Sequence, residues 1–144
     1  MGMDTSSLLR MACAVVCLLA AFVSVNVCVD LGEGLSLVGV LPLFGLLFGG
    51  MLYAQFVALD VFRGSRGALL KAAALQPVIP YVVFLAGSLS EVVIVPSLSG
   101  RAGLYTFSMA VTDSVMFAAF FGVVGAVMLL AREAIAARRG DVSA

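Results

Sequence analysis

The sequence predicts an all-α polytopic membrane protein, four transmembrane helices in an up-down bundle with both termini cytoplasmic. Three observations predict it. Of 144 residues, 63% are hydrophobic and only 11% charged, and mean hydropathy is +1.21, more apolar surface than a soluble domain of this size can hide. The apolar residues fall into four runs, each long enough to cross a hydrocarbon core of about 30 Å. The basic residues fall almost entirely on one side of the resulting topology.

The expected spans are 11–29, 35–59, 72–90 and 104–131, in a single domain that ends in a short cytoplasmic tail, 132–144. The first follows a polar start and Arg10. It exceeds the roughly 7–15 apolar residues of a signal-peptide core and ends without a small-x-small cleavage site, so an uncleaved span is expected. An acidic turn, Asp30 to Gly34, leads into the second span, which carries Pro42 and the GxxxG spacing Gly45 to Gly49. In lipid such a pair lets helix backbones approach closely.

The turn from Asp60 to Leu70 holds Arg63 and Arg66, and Lys71 reads as a snorkelling anchor at the mouth of the third span. That span contains Gln76, Pro77, Pro80 and Tyr81, a sequence that should bend or unwind a helix and free carbonyls for a neighbour to satisfy. Glu91 to Gly103 is expected to be a loop on the membrane surface. The fourth span contains Asp113, the one charge expected well inside the bilayer, and runs into the basic tail Arg132 to Arg139.

With four spans, Arg10, Arg63, Arg66, Lys71, Arg132, Arg138 and Arg139 share one side and only Arg101 lies on the other. The positive-inside rule makes that side cytoplasmic and leaves Asp30, Glu33 and Glu91 outside. The richness in Ala, Val, Gly and Leu, without organelle-targeting features, points to a bacterial inner membrane. Partners expected from composition are the lipid bilayer and other membrane subunits or a second copy. A net charge of zero argues against nucleic acid.

Histidine is absent, and Cys13, Cys17 and Cys28 form no CxxC pair. No metal or other cofactor is therefore expected, and the cysteines read as small buried apolar residues. There is no phosphate-binding glycine loop with its lysine. Catalysis needs converging groups, and none is expected at the depth of Asp113, so enzyme is the least supported class.

At 100° per residue, Met109, Met116, Phe117 and Phe120 lie near Asp113, while Ala118, Gly122, Gly125 and Ala126 form a small-residue ridge opposite. That ridge, through Gly122 and Ala126, is expected to pack on Gly45 and Gly49. An ionised Asp in mid-membrane is disfavoured by roughly 2.5–3.5 kcal/mol, so Asp113 needs a hydrogen-bond partner or a polar cavity. Tyr81, Ser88 and Ser24 are candidates by depth.

Two functions fit. The one favoured by size, since four short helices barely enclose a cavity, is an accessory or scaffold subunit that packs against other membrane helices. The other is a small transporter or channel component whose polar path runs by Asp113, Gln76 and Tyr81. Whether Asp113 and Gln76 face a common interior separates the two.

Overall fold

The first helix, α1 (Thr5–Leu31), starts at a capped end. The Asp4 carboxylate accepts hydrogen bonds from the Ser6 N–H at 3.2 Å and the Ser7 hydroxyl at 2.8 Å, occupying a donor that the helix leaves unpaired. The chain is a computed structural model that describes residues 4–31, 37–100 and 106–143. In it α1 is followed by α2 (Leu37–Ala58), α3 (Ala68–Ser99) and α4 (Phe107–Ser143). All four are long and apolar enough to cross a membrane.

Two interactions fix which ends lie together. The Asp4 N–H donates to the Val61 carbonyl at 2.8 Å, so the start of α1 sits beside the turn after α2. The Arg132 guanidinium donates to Asp60 Oδ1 at 2.6 Å and to the Leu59 carbonyl at 3.3 Å, which brings α4 to the same turn. The turn itself needs backbone at positive φ, and glycine supplies it at Gly64 (79°) and Gly67 (69°). Beneath it Leu59, Ala72 and Leu129 form a small buried cluster. Lys71 lies 5.6 Å from the Phe62 ring centroid, a cation over an aromatic face at the start of α3.

The third helix is the hub, touching all three others, and its contact with α4 is the most extensive in the molecule. Here the sequence reading is corrected. Glu91 to Ser99, expected as a surface loop, continues α3, and Gly100 ends the helix in a left-handed conformation with its N–H bonded to the Pro96 carbonyl. The helix runs through Pro77, Pro80 and Pro96. A proline at position i costs the bond to the carbonyl at i−4, so Pro80 frees the carbonyl of Gln76. The side-chain amide of Gln55 in α2 donates to that carbonyl at 3.0 Å. A neighbour thus replaces what the backbone lost, and the helix need not unwind.

Helix packing differs from the expected ridge pairing. A Cβ at Gly122 would lie 3.1 Å from Pro77 Cβ, and one at Gly125 would overlap the Gln76 side chain, so the small residues of α4 seat on α3. Gly45 and Gly49 have nothing within 4 Å of a built Cβ, and both, like Ala126, are exposed. The reason is geometric: α2 meets α4 only thinly, while α3 occupies the small face of α4. Cys13 and Cys17 are free and exposed rather than buried. Glu33 and Arg101 lie outside the described residues.

Candidate functional site

Residues of all four helices line an open cavity of about 270 Å³. Its wall is aromatic. Phe22 of α1, Phe48 of α2, Phe84 of α3 and Phe117 and Phe121 of α4 all line it. Phe84 is their centre, stacked on Phe117 at 4.2 Å between centroids, parallel-displaced from Phe121 at 5.7 Å, and met edge-on by Phe22 at 5.1 Å. Such contacts add about 0.5–1.5 kcal/mol each beyond area burial. Phe22 reaches this position because α3 carries Gly87 opposite it. A Cβ there would run into the ring.

Helical spacing builds the polar end. Phe84, Ser88 and Glu91 follow one another at i, i+4 and i+7 on α3, and Asp113, Phe117 and Phe121 at i, i+4 and i+8 on α4. Because the two helices run in opposite directions, these faces meet with Ser88, Glu91 and Asp113 together and the rings below them, and all six residues line the cavity. Ser88 is buried, and Glu91 and Asp113 are half-buried. The expectation that no second carboxylate lies at the depth of Asp113 is thereby corrected. Glu91 arrives there because α3 stays helical past the point where the sequence suggested a loop.

The other proposed members of the site lie elsewhere. Gln76 is fully buried against Gly125, three turns of α4, or about 18 Å, from Asp113. Tyr81 is half-buried and Ser24 exposed, and neither lines the cavity. The Met face of α4 is also turned away, with Met109 and Met116 exposed.

Gln76 instead belongs to a second polar constellation, whose key member, Gln55, sequence reading passed over. Gln55 Nε2 donates to the carbonyls of Gln76 (3.0 Å) and Phe121 (2.7 Å), and Gln76 Nε2 donates to the Gln55 carbonyl at 3.3 Å. Three helices are stitched together by two amides. Both side chains are fully buried, and their Oε1 atoms accept no hydrogen bond. The signal for Gln55 was present: it is a polar residue inside an apolar run, opposite a helix whose proline must leave a carbonyl free. Phe121 links the two regions, its ring closing the cavity and its carbonyl receiving Gln55.

At the turn end, a cleft of about 670 Å³ is lined by Asp60, Arg63, Arg132, Glu133 and Arg139 among others. It is the charged counterpart of the apolar cavity. Among the described residues no group of three or more Cys, Asp or Glu side chains is placed to hold a metal ion. Comparison with protein-family models, curated proteins and solved structures finds no match.

Proposed function

We propose that the chain is an integral membrane protein of four spans, with both termini in the cytoplasm of a bacterial inner membrane, and that it is a small transporter component that takes its ligand into the aromatic cavity. The observation that carries this is the cavity itself. Residues of four short helices from one chain line an open space walled by hydrocarbon and rings and ended by Glu91, Asp113 and Ser88. An apolar pocket with a few converging polar groups is the usual form of a small-molecule site.

The depth of the site supports the reading. Between Lys71 and Glu91 on α3, and between Asp113 and Arg132 on α4, no ionisable side chain except Tyr81 interrupts the apolar helix. Each interval is about 30 Å by helical rise, the thickness of a hydrocarbon core. With the basic end at the cytoplasmic headgroups, the two carboxyl groups stand near the opposite boundary, where a ligand from outside reaches them without crossing the bilayer. Among the described residues the cavity's one polar side chain apart from the two carboxyl groups is Ser88.

Topology is tested by single cysteines placed in a cysteine-free background. Arg66→Cys should react with an impermeant maleimide only after the cells are opened, and Ser97→Cys should react in intact cells. The reverse pattern inverts the orientation, and equal labelling removes the four-span reading. Transport is tested by flux into proteoliposomes, comparing the wild type with Ser88→Phe, which fills the cavity.

The accessory-subunit reading keeps two observations in its favour: Gln76 does not share the cavity with Asp113, as the polar path expected of a transporter required, and the Gly45 and Gly49 face of α2 is bare. Loss of a stoichiometric co-purifying membrane protein in Gly45→Leu with Gly49→Leu, alongside wild-type flux through Ser88→Phe, would make that the better description.

A further inference from the structure

We infer that the cleft at the turn end binds an anionic phospholipid, its phosphodiester seated between Arg63 and Arg139 and its glycerol and upper acyl carbons laid on Leu69 and Ile135. This rests on the four-span membrane reading and is independent of what enters the aromatic cavity. The cleft, of about 670 Å³, lies where the turn after α2, the start of α3 and the far part of α4 meet. Spacing builds its walls. Arg132, Ile135, Ala136 and Arg139 stand at i, i+3, i+4 and i+7 on α4, so they share one helix face, and all four line the cleft. Arg63 comes from the turn, beside Gly64 with its positive φ of 79°, and Leu69 from the first turn of α3.

The charges of the cleft are unevenly matched. Three arginines and two acids line it. Both acids lie against Arg132, Asp60 at 2.6 Å and Glu133 at 3.8 Å. Arg63 and Arg139 are exposed and bridge neither acid. A guanidinium suits a phosphodiester because its fork of N–H donors matches two phosphate oxygens. Two such groups on a cleft whose acids are already engaged give an anion two points of attachment.

The apolar wall separates a lipid from a soluble phosphate. Leu69 is 54% exposed and Ile135 53%, and both stand among the arginines, outside the apolar stretches between Lys71 and Glu91 and between Asp113 and Arg132. Hydrocarbon left open at headgroup level is covered by a ligand that carries hydrocarbon next to its phosphate, as a phospholipid does. A free phosphate would leave both side chains bare. Basic pockets between helices at the cytoplasmic face recognise anionic headgroups through this combination.

The test uses the full chain, delipidated in mild detergent, with native mass spectrometry to count the lipids bound as their concentration rises. The probes are dioleoylphosphatidylglycerol, dioleoylphosphatidylcholine, whose phosphate carries its own compensating cation, and glycerophosphoglycerol, the anionic head without chains, scored as a competitor. The wild type is compared with Arg63→Gln combined with Arg139→Gln. A control removes the same charge from residues that do not line the cleft, Arg66→Gln combined with Arg138→Gln. Arg132 is kept, since it ties α4 to Asp60. A second cleft variant, Ile135→Glu, sets an acid on the apolar wall.

The expected result is one phosphatidylglycerol per chain, bound at least tenfold tighter than phosphatidylcholine. That preference is lost in both cleft variants and kept within twofold in the control, and glycerophosphoglycerol competes at least tenfold more weakly than the whole lipid. Equal binding of the two lipids by the wild type, or a preference that survives in the cleft variants, overturns the proposal. An equal loss in the control also overturns it, because the attraction would then come from diffuse charge and not from a site. Competition by glycerophosphoglycerol as strong as that of the lipid would make this a soluble phosphate site and overturn the lipid assignment. None of these outcomes touches the membrane reading, which the cysteine labelling decides by itself.

Discussion

Glycines that look alike in the sequence have opposite roles. A methyl group at Gly87 would strike the Phe22 ring, and one at Gly125 would meet Gln76 Cβ at 2.7 Å, whereas Gly45 and Gly49 face open space. Overpacking of this kind costs about 1–3 kcal/mol, while removing a glycine from an open helix position gains up to about 1 kcal/mol. Gly87→Ala and Gly125→Ala should therefore lower the melting temperature in detergent, and Gly45→Ala and Gly49→Ala should leave it unchanged or raise it. The sequence showed the GxxxG spacing but not which backbone approaches it, because a glycine's importance depends on what stands opposite. Asp4 gives a second prediction at this scale. Its carboxylate is held below the usual value of 3.8, chiefly by the Ser7 hydroxyl. A lowered carboxylate pKa means that the cap is present above the unfolded value and lost as pH falls through the folded one. Protection of the first-turn amides of α1, measured against their intrinsic exchange rates, should fall on acidification below about pH 4, and Asp4→Asn should remove that acid-dependent step.

The exchange between Pro80 and Gln55 belongs to the scale of whole helices. Sequence reading foresaw that the prolines would free carbonyls needing partners, and expected a bend or break as the outcome. It could not foresee that a glutamine on another helix would supply the donor, since that depends on the rotation of α2 about its axis. Gln55→Leu should cost about 1–3 kcal/mol, the penalty for orphaning buried carbonyl groups. In a Pro80→Ala background the restored N–H can reach the Gln76 carbonyl, so the same substitution should cost less. A double-mutant cycle on unfolding in denaturing detergent measures the difference, and strict additivity would show that Gln55 does not replace the lost backbone bond. Extending α3 through Glu91 to Ser99 is the element-scale correction with the largest effect on function. Proline and glutamate made that stretch look like a loop, yet on the proposed membrane reading a helix packed beside α4 has every reason to keep its backbone bonds closed.

For the molecule as a whole, four apolar runs were legible because each is long and uninterrupted, and the order of their ends followed from that. The relative placement of the helices was not, since small residues line several faces of several helices. The centre accordingly shifted from α4, with its conspicuous aspartate, to α3. At the turn end, the Asp60–Arg132 pair at 2.6 Å joins the exit of α2 to α4, with both side chains 35% exposed. An ion pair so placed contributes about 0.2–1 kcal/mol. Asp60→Asn combined with Arg132→Gln in a cycle should give a coupling in that range, shrinking as salt is raised.

On the proposed four-span reading, the paired glutamines also bear on what a membrane must not lose. An energised bilayer is a charged capacitor, and any chain of groups able to pass protons from one face to the other would discharge it. Below Glu91 and Asp113 the cavity ends in Met51 and Phe121, and beneath Phe121 the helices are joined by amides. Amides can hold helices together through their dipoles, yet they have no proton to give up at physiological pH. Carboxylates in the same two positions would serve as stepping stones towards the basic end. With Gln55 and Gln76 there, the three helices are joined by polar bonds between groups that do not titrate.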